Sequence, residues 1–154
     1  PVTHHGLDEC GHRMKTNFNS VCQLTHQPIR HMQNLGRGKV INVASVAGLR
    51  GSMNSAAYNT SKHAIVGLTR CVALENAKNG INVNAICPGI VETDLIKGVE
   101  QRMETQGMPP EEFRERLLAQ IPIGRLLQPE EIANIAVFLA SSESDGMSGE
   151  TISI

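Results

Sequence analysis

The sequence lacks the features that mark membrane proteins and nucleic-acid-binding proteins. Its 154 residues contain no visible signal peptide and no apolar run near the roughly 20 residues that a membrane-spanning helix needs. Fourteen basic and fifteen acidic side chains leave a net charge of -1, so no basic field would attract nucleic acid or an anionic membrane. We therefore expect a cytoplasmic protein with neither a nucleic-acid partner nor a membrane partner.

Disulfide and metal-binding patterns are missing as well. The cysteines form no C-x-x-C pair and fall inside predicted helices or strands, so we expect free, buried thiols. His4 and His5 are adjacent, and His26 and His31 are five residues apart, but the histidines form no H-x-x-x-H pair or His/Cys cluster. Because these ligand spacings are absent, no metal site is expected. The cysteines are Cys10, Cys22, Cys71 and Cys87.

A glycine-rich turn leading out of a first strand is also missing. The closest run, LGRGK at Leu35–Lys39, leads into a strand, so it is predicted to end a helix with Gly36 in a left-handed conformation. A doubly wound dinucleotide-binding fold needs such a turn to receive the pyrophosphate at a helix N-terminus. If this chain has that fold, we expect that two βαβ units of about 30 residues each precede it. The first residue, Pro1, is not a methionine.

What is present includes three strand patterns. The runs Lys39–Ala44 and Ile81–Cys87 are short and apolar, as in parallel strands buried on both faces. Gly149–Ile154 is predicted to be a last strand. The intervening segment Val46–Ser55 is rich in Gly, Ser and Asn and is predicted to be a loop, as is Pro1–Gly6.

Helical patterns alternate with these strands. The segment 94–121 has no fixed motif but contains an amphipathic stretch, EEFRERLLAQI. The alternation predicts an α/β fold with a parallel sheet and flanking helices. The predicted helices are Leu7–Gln33 with a possible break near Pro28, Ala56–Lys78, and one that begins at Pro129 with two acidic residues behind it.

Two side chains in the predicted helix Ala56–Lys78 suggest acid–base chemistry. Tyr58 and Lys62 are four residues apart and therefore share one helical face. A fixed ammonium beside a phenol favours the phenolate, which lets a tyrosine act as an acid or base near neutral pH. Ser45 would lie at the carboxyl end of its strand, where open α/β sheets place their ligand crevice. Each feature alone also fits a solvated helix or a loop serine, whereas their order and spacing together favour function.

These residues belong to a longer series of motifs. The series comprises Asn17 in KTNFNSV, Ser45 in INVASVAG, YNTSK from Tyr58 to Lys62, VNAICPGIVET from Val83 to Thr93, and IGRLLQPEEIANIAVFLASSES followed by MSGETISI. In this order the series resembles the short-chain dehydrogenase/reductase family, in particular its beta-ketoacyl carrier-protein reductases and its polyol and sugar dehydrogenases. The resemblance covers almost the whole chain and implies one partial domain over residues 1–154, the C-terminal part of a Rossmann-like doubly wound parallel sheet.

The resemblance also implies a reaction and assigns catalytic residues to it. The implied activity is NAD(P)-dependent hydride transfer between a nicotinamide and a carbonyl or secondary alcohol. By resemblance, Tyr58 exchanges the proton, while Lys62 assists it through its charge and binds the ribose hydroxyls. Ser45 would hydrogen-bond the reacting oxygen of the substrate. Asn17 would distort its helix and complete the proton relay through a water molecule.

The turn after the strand Ile81–Cys87 is implied to bind the cofactor. Pro88 and Gly89 would shape the loop beside the nicotinamide, the Val91 backbone would contact the carboxamide, and Thr93 would bind the amide or phosphate. Either NAD or NADP fits, since the deciding residue at the end of the second strand is missing from the sequence.

Three further expectations concern the substrate, the partners and the alternative function. The segment 94–121 is implied to cover the substrate like a lid. A small carbonyl or alcohol substrate and a homodimer or homotetramer are implied by the resemblance alone. The alternative is a non-catalytic fragment or interaction module, because a truncated relative would keep the same motifs.

Overall fold

The computed structural model describes residues 6–154, so the histidine pair and most of the predicted first loop lie outside the described residues. Short 3₁₀ turns follow the first strand at Val46–Gly48, the third helix at Ala77–Asn79 and the last helix at Ser142–Ser144. The elements are α1 (Leu7–Arg13), a π-helical stretch (Met14–Asn19), α2 (Ser20–Leu35), β1 (Gly38–Val43), α3 (Ala56–Asn76), β2 (Ile81–Cys87), α4 (Asp94–Thr105), α5 (Pro110–Leu118), α6 (Pro129–Ala140) and β3 (Thr151–Ser153).

The three strands form a parallel sheet in the order β1-β2-β3. The register places Gly38 opposite Ile81 in the first pair and Ala85 opposite Thr151 in the second. Because all strands run in one direction, their carboxyl ends meet at one edge of the sheet. The predicted α/β class, with a parallel sheet and flanking helices, is confirmed. The last strand is shorter than its predicted range.

The two long strands differ in burial because they differ in position. In β2, between its two neighbours, Ile81, Val83 and Ile86 are at most 1% exposed. Each such side chain stabilises the fold by about 1.5–3 kcal/mol. The prediction that the first strand is buried on both faces is wrong, since most of β1 is only partly buried and Val43 is 54% exposed. Among the described residues β1 pairs only with β2, so its other edge has no neighbouring strand.

Helices α2 and α3 pack against the sheet through two apolar clusters. One cluster joins the carboxyl end of the sheet to the first half of α3, and the other joins the opposite end of the strands to the second half of α3. The first contains Ala44, Ile65, Val66 and Cys87, with Phe18 and Val21 packed against it. The second contains Ala73, Ile81 and Val83, with Ile29, Met32, Val40 and Val72 packed against it.

Glycines in a left-handed conformation follow both helices. Gly36 has φ 64° after α2, as predicted, and Gly80 has φ 69° after the turn that ends α3. A Cβ atom on Gly80 would lie 2.4 Å from the Gly36 carbonyl oxygen. The Gly38 N–H donates to the Gly80 carbonyl at 3.2 Å. Position 80 therefore needs glycine for its close contact as well as for its φ angle.

The first long helix differs from its prediction. The possible break near Pro28 is wrong, because α2 continues through Pro28 and ends at Leu35. The proline removes the hydrogen bond to the carbonyl of Leu24. Leu24 is 69% exposed, so water can solvate that carbonyl and the helix can continue. The irregular stretch is instead the π-helical turn Met14–Asn19.

The cysteines are free, as predicted, but they are not uniformly buried. Cys87 is buried in β2, while Cys10 and Cys22 are partly buried. Cys71 is exposed, because it lies on the outward face of α3.

Within residues 6–154, no cluster of His, Cys, Asp or Glu is arranged to hold a metal ion. No helix in this described range is long and apolar enough to span a membrane.

The chain divides into two compact units, of which the first contains the sheet. The first unit comprises the chain up to Pro88 together with Ile135–Ile154, and the second is Gly89–Asn134. In the second unit, Arg114 of α5 binds Glu100 of α4 through two hydrogen bonds of 2.7 and 3.2 Å. This ion pair joins the two helices of the segment that was expected to form a lid.

Candidate active site

Ser45 lies at the carboxyl edge of the sheet, where the chain leaves β1. The Ala44 N–H donates to the Ile86 carbonyl at 2.8 Å, and the Val46 N–H donates to the Pro88 carbonyl at 3.0 Å. The segment around Ser45 therefore remains bonded to β2 and to the turn behind it. The Ser45 Oγ accepts a hydrogen bond from the Ala47 N–H at 3.1 Å and caps the following 3₁₀ turn. Its hydroxyl hydrogen stays available to donate to a ligand.

Lys62 is held between the Tyr58 ring and the end of β1. Its Nζ lies 5.9 Å from the centroid of the Tyr58 ring, on the same face of α3. The ammonium also donates to the Val43 carbonyl, two residues before Ser45, at 3.2 Å. Partial burial lowers the pKa of Lys62 from its ordinary value, since the ammonium loses hydration. The expected pairing of Tyr58 with Lys62 on one helical face is present.

The 3₁₀ turn after Ser45 packs directly on α3. Gly48 is buried in this turn, and a Cβ atom there would lie 2.7 Å from the Lys62 carbonyl oxygen. Only a residue without a side chain allows the turn to approach the helix so closely. Gly48 thus sets the separation between the strand end with Ser45 and the helix with Tyr58 and Lys62.

Asn17 reaches this helix from the π-helical stretch. Its Nδ2 donates to the Ser61 Oγ at 3.0 Å, and the Ser61 hydroxyl donates to the Tyr58 carbonyl at 2.7 Å. Ser61 is fully buried and directly precedes Lys62. The helical distortion expected at Asn17 is present, and π-helical turns often occur at functional sites.

Ser61 was not recognised from the sequence. It stands three residues after Tyr58, and a serine inside a helix can bond a carbonyl three or four residues back. That spacing was the available signal. The bond to Asn17 had none, because the two residues are 44 positions apart in the chain.

Cys87 lies at the end of β2, beneath the strand end that carries Ser45. Burial raises the pKa of the Cys87 thiol, while the Ser45 backbone N–H and the charges of Lys62 and Arg70 act in the opposite direction. A neutral, buried thiol at this position is a packing group and not a nucleophile. It shares an apolar cluster with Ala44, the residue before Ser45.

The expected cofactor residues are divided between the two units. Pro88 belongs to the first unit and meets the Ser45 segment through its carbonyl, as described above. Gly89, Val91 and Thr93 belong to the second unit. Val91 forms a parallel bridge with Leu127, which accepts from the Glu92 N–H at 2.8 Å. Thr93 precedes α4, and its extended backbone starts that helix.

Comparison with known proteins identifies the family. Residues 1–154 match the family described as enoyl-(acyl carrier protein) reductase. The chain is 38% identical over 146 residues to acetoacetyl-CoA reductase of Rhizobium meliloti, covering 95% of this chain and 57% of that relative. The chain belongs to the short-chain dehydrogenase/reductase family. The family prediction made from the motifs is therefore confirmed.

Solved structures of this family agree with the fold. A single-residue variant of actinorhodin polyketide ketoreductase with NADPH is 31% identical, with a TM-score of 0.94 over 100% of this chain and 60% of that chain. NAD+-bound xylitol dehydrogenase is 30% identical, with a TM-score of 0.90 over 100% of this chain and 62% of that chain. The chain spans a little over half the length of the curated relatives it matches.

Proposed function

We propose that the protein containing this chain is an NAD(P)-dependent oxidoreductase that interconverts a small carbonyl compound and a secondary alcohol. The observation that carries the proposal is the position of the Lys62 ammonium, 5.9 Å from the Tyr58 ring centroid and bonded to the strand end before Ser45. Acetoacetyl-CoA reductase and xylitol dehydrogenase, both similar to this chain, have names that indicate this reaction class.

The residues of the site fit a nicotinamide cofactor. When bound, NAD or NADP supplies or takes up the hydride. An ammonium has three N–H donors, and the Val43 carbonyl engages one donor of Lys62, so two remain for the ribose hydroxyls. Pro88, Gly89, the Val91 backbone and Thr93 would hold the nicotinamide end. Both cofactors remain candidates, since the similar ketoreductase has NADPH and the xylitol dehydrogenase has NAD+.

The protein's own contribution is to hold and move one proton. We assign this proton to the Tyr58 hydroxyl, which gives it to the carbonyl oxygen during reduction and takes it back during oxidation. Ser45 donates a hydrogen bond to the same oxygen, using the hydroxyl hydrogen that its capping role leaves available. The Lys62 cation stabilises negative charge on the Tyr58 oxygen, and partial burial strengthens that interaction because water screens it less.

Asn17 is assigned the relay of this proton to solvent. Its amide is anchored to Ser61, between Tyr58 and Lys62 in α3, at 3.0 Å. A π-helical turn leaves backbone groups without their regular helical partners, and these groups can bind water. This arrangement supports a water held near Lys62 by the Asn17 turn.

We further propose a role for the second unit and a larger assembly. Residues 1–154 would form one partial domain in which the segment 94–121 is the substrate lid, stiffened by the Arg114 pair with Glu100. Leu24 and Leu74 are 69% and 82% exposed on α2 and α3, and they supply apolar surface for another subunit. The protein would be a cytoplasmic homodimer or homotetramer.

The Tyr58→Phe variant tests the activity directly. In the full-length protein, the substitution removes the transferable proton but keeps the ring beside Lys62. We expect kcat to fall by about 10²–10⁴-fold while the Kd for NADH or NADPH changes by less than about threefold. Turnover that survives the substitution would contradict the assignment of the proton to Tyr58.

A lysine pair provides the matched control. Lys62→Met is expected to weaken cofactor binding as well as turnover, because it removes the cation and the ribose donors. Lys78→Met changes an exposed lysine in the 3₁₀ turn that follows the far end of the same helix, and it should leave both unchanged. If the full-length protein binds neither cofactor, the result would favour the alternative of a non-catalytic interaction module.

A further inference from the structure

The loop between Ser45 and Tyr58 contains little regular structure. After the 3₁₀ turn, residues 49–55 contain turns and a bend but no helix or strand. Met53 is 91% exposed, and Asn54 has φ 61°, a left-handed conformation that asparagine tolerates better than most residues. Such a loop needs contacts from outside itself to keep one conformation.

One buried residue of α3 supplies several of those contacts. Asn59, directly after Tyr58, is 6% exposed. Its Nδ2 donates to the Arg50 carbonyl at 2.9 Å, and its Oδ1 accepts from the Ser52 hydroxyl at 3.1 Å. Its backbone N–H donates to the Ser55 carbonyl at 2.8 Å. Asn59 therefore binds the loop near its beginning, middle and end.

The same loop forms a wall of a cavity beside Tyr58. This cavity of about 210 Å³ is lined by Tyr58 and Ala57 from α3, by Asn54 and Ser55 from the loop, and by Glu9 and Arg13 from α1. A shift of the loop would move two of its lining residues. The cavity's shape next to the Tyr58 ring thus depends on how the loop is held.

We propose that Asn59 is a positioning residue that fixes the 49–55 loop and thereby controls how substrates fit beside Tyr58. The inference rests on the proposed function, because it assumes that Tyr58 faces a substrate. Asn59 itself touches neither the reacting atoms nor the cofactor in this proposal. It acts through the loop, so its removal should change substrate affinity and selection more than the chemical step.

An amide is the functional group that both contacts require. The Arg50 carbonyl needs a donor and the Ser52 hydroxyl needs an acceptor, and asparagine offers both at this side-chain length. An aspartate would accept from Ser52 but would direct a carboxylate oxygen at the Arg50 carbonyl. Alanine would leave both groups without Asn59 as a partner.

The test compares Asn59→Ala with Asn76→Ala in the full-length protein. Asn76 is the matched control, because it is also a buried asparagine of α3, at 3% exposed. It bonds the Val72 carbonyl and the Gln33 side chain, away from the loop. We expect Asn59→Ala to raise KM for the carbonyl substrate about tenfold, from the loss of two hydrogen bonds, with kcat within about threefold. Asn76→Ala should lower thermal stability but leave KM unchanged.

A second variant and a second readout cover the case in which Asn59→Ala does not fold. Ser52→Ala changes an exposed loop residue and removes one of the two side-chain bonds, so the fold should persist. We expect it to raise KM about threefold. Hydrogen exchange over residues 49–55 should accelerate in both loop variants and stay at the wild-type rate in Asn76→Ala.

The outcomes separate this inference from the proposed function. An unchanged KM and unchanged loop exchange in Asn59→Ala would overturn it, as would an equal rise of KM in Asn76→Ala. If the full-length protein shows no turnover, that result would overturn the proposed function and the role of Asn59 in substrate fit. In that case, faster loop exchange in Asn59→Ala would still support Asn59 as the residue that holds the loop.

Discussion

A buried polar trio joins β1, α2 and α3, and Asn42 is its centre. Asn42 lies in β1, three residues before Ser45, and its Nδ2 donates to the Thr69 Oγ1 of α3 at 2.9 Å. Its Oδ1 accepts from the Thr25 hydroxyl of α2 at 3.4 Å. Thr69 also donates to the Ile65 carbonyl, and all three trio side chains are at most 5% exposed.

We expect Asn42→Ala to lower the free energy of unfolding by about 2–3 kcal/mol. The bond to Thr69 contributes about 1 kcal/mol, and the longer bond to Thr25 contributes less. The remainder comes from the Thr25 hydroxyl left without its partner and from the space vacated in the interior. Thr69 keeps its bond to the Ile65 carbonyl and adds little to the loss. A domain is stable by only about 5–15 kcal/mol, so this loss is large.

Urea unfolding followed by circular dichroism measures this effect. Asn34→Ala, on the exposed surface of α2, is the control and should change stability by less than about 0.5 kcal/mol. In a double-mutant cycle with Thr69→Val, we expect a coupling free energy of about 1 kcal/mol. A loss below about 1 kcal/mol in Asn42→Ala, or no coupling to Thr69, would refute the reasoning.

Two further predictions concern a glycine contact and a carboxylate. Gly80→Ala should lower the melting temperature more than Gly36→Ala, because both have left-handed φ angles but only a Cβ at position 80 meets a carbonyl oxygen, at 2.4 Å; equal losses would argue against this contact. Arg125 and the Gln128 N–H hold the pKa of Glu131 at about 2 instead of its ordinary 4.5. The stabilisation from Glu131 is therefore present above about pH 4.5 and is lost as the pH falls toward about 2. Urea midpoints should show Glu131→Gln less stable than wild type at about pH 7, and the difference should shrink steadily as the pH is lowered from about 4.5 toward about 2; a difference that does not change over this range would contradict the pKa shift.

The elements that the sequence predicted well are those whose patterns are local. The strand Ile81–Cys87 has its predicted bounds, because a strand covered on both sides needs a continuous apolar run. Helix α6 begins at Pro129 as predicted, since proline and two acidic residues favour a helix start. The prediction that the first strand is buried on both faces was wrong. An apolar run does not reveal what the rest of the fold packs against a strand, or whether the strand lies at the edge of its sheet. The π-helical turn at Met14–Asn19 has no local pattern of its own that distinguishes it from an α-helix.

The candidate site was predictable only in part for the same reason. Tyr58 and Lys62 could be paired from sequence because their spacing alone places them on one face. Gly48 and Asn59 could not be found in this way. The importance of Gly48 comes from its close approach to Lys62, and that of Asn59 comes from its bonds to the 49–55 loop. Such contacts depend on how a strand end, a turn and a helix pack together.

The proposed catalytic residues of the first unit come from separate elements, so their relative placement depends on what joins those elements. Apolar clusters hold α2 and α3 on the sheet, but apolar contacts are non-directional and tolerate small shifts. Hydrogen bonds require defined distances and angles, and each element that carries a candidate catalytic residue has one that is at least partly shielded from water. The shielded bonds are those of Asn17 to Ser61 and of Asn42 to Thr69, and the more exposed bond of Lys62 to the Val43 carbonyl adds to them. We infer that these directional bonds set the register of the helices against β1, which is why a substitution at Asn42 should affect the site as well as stability.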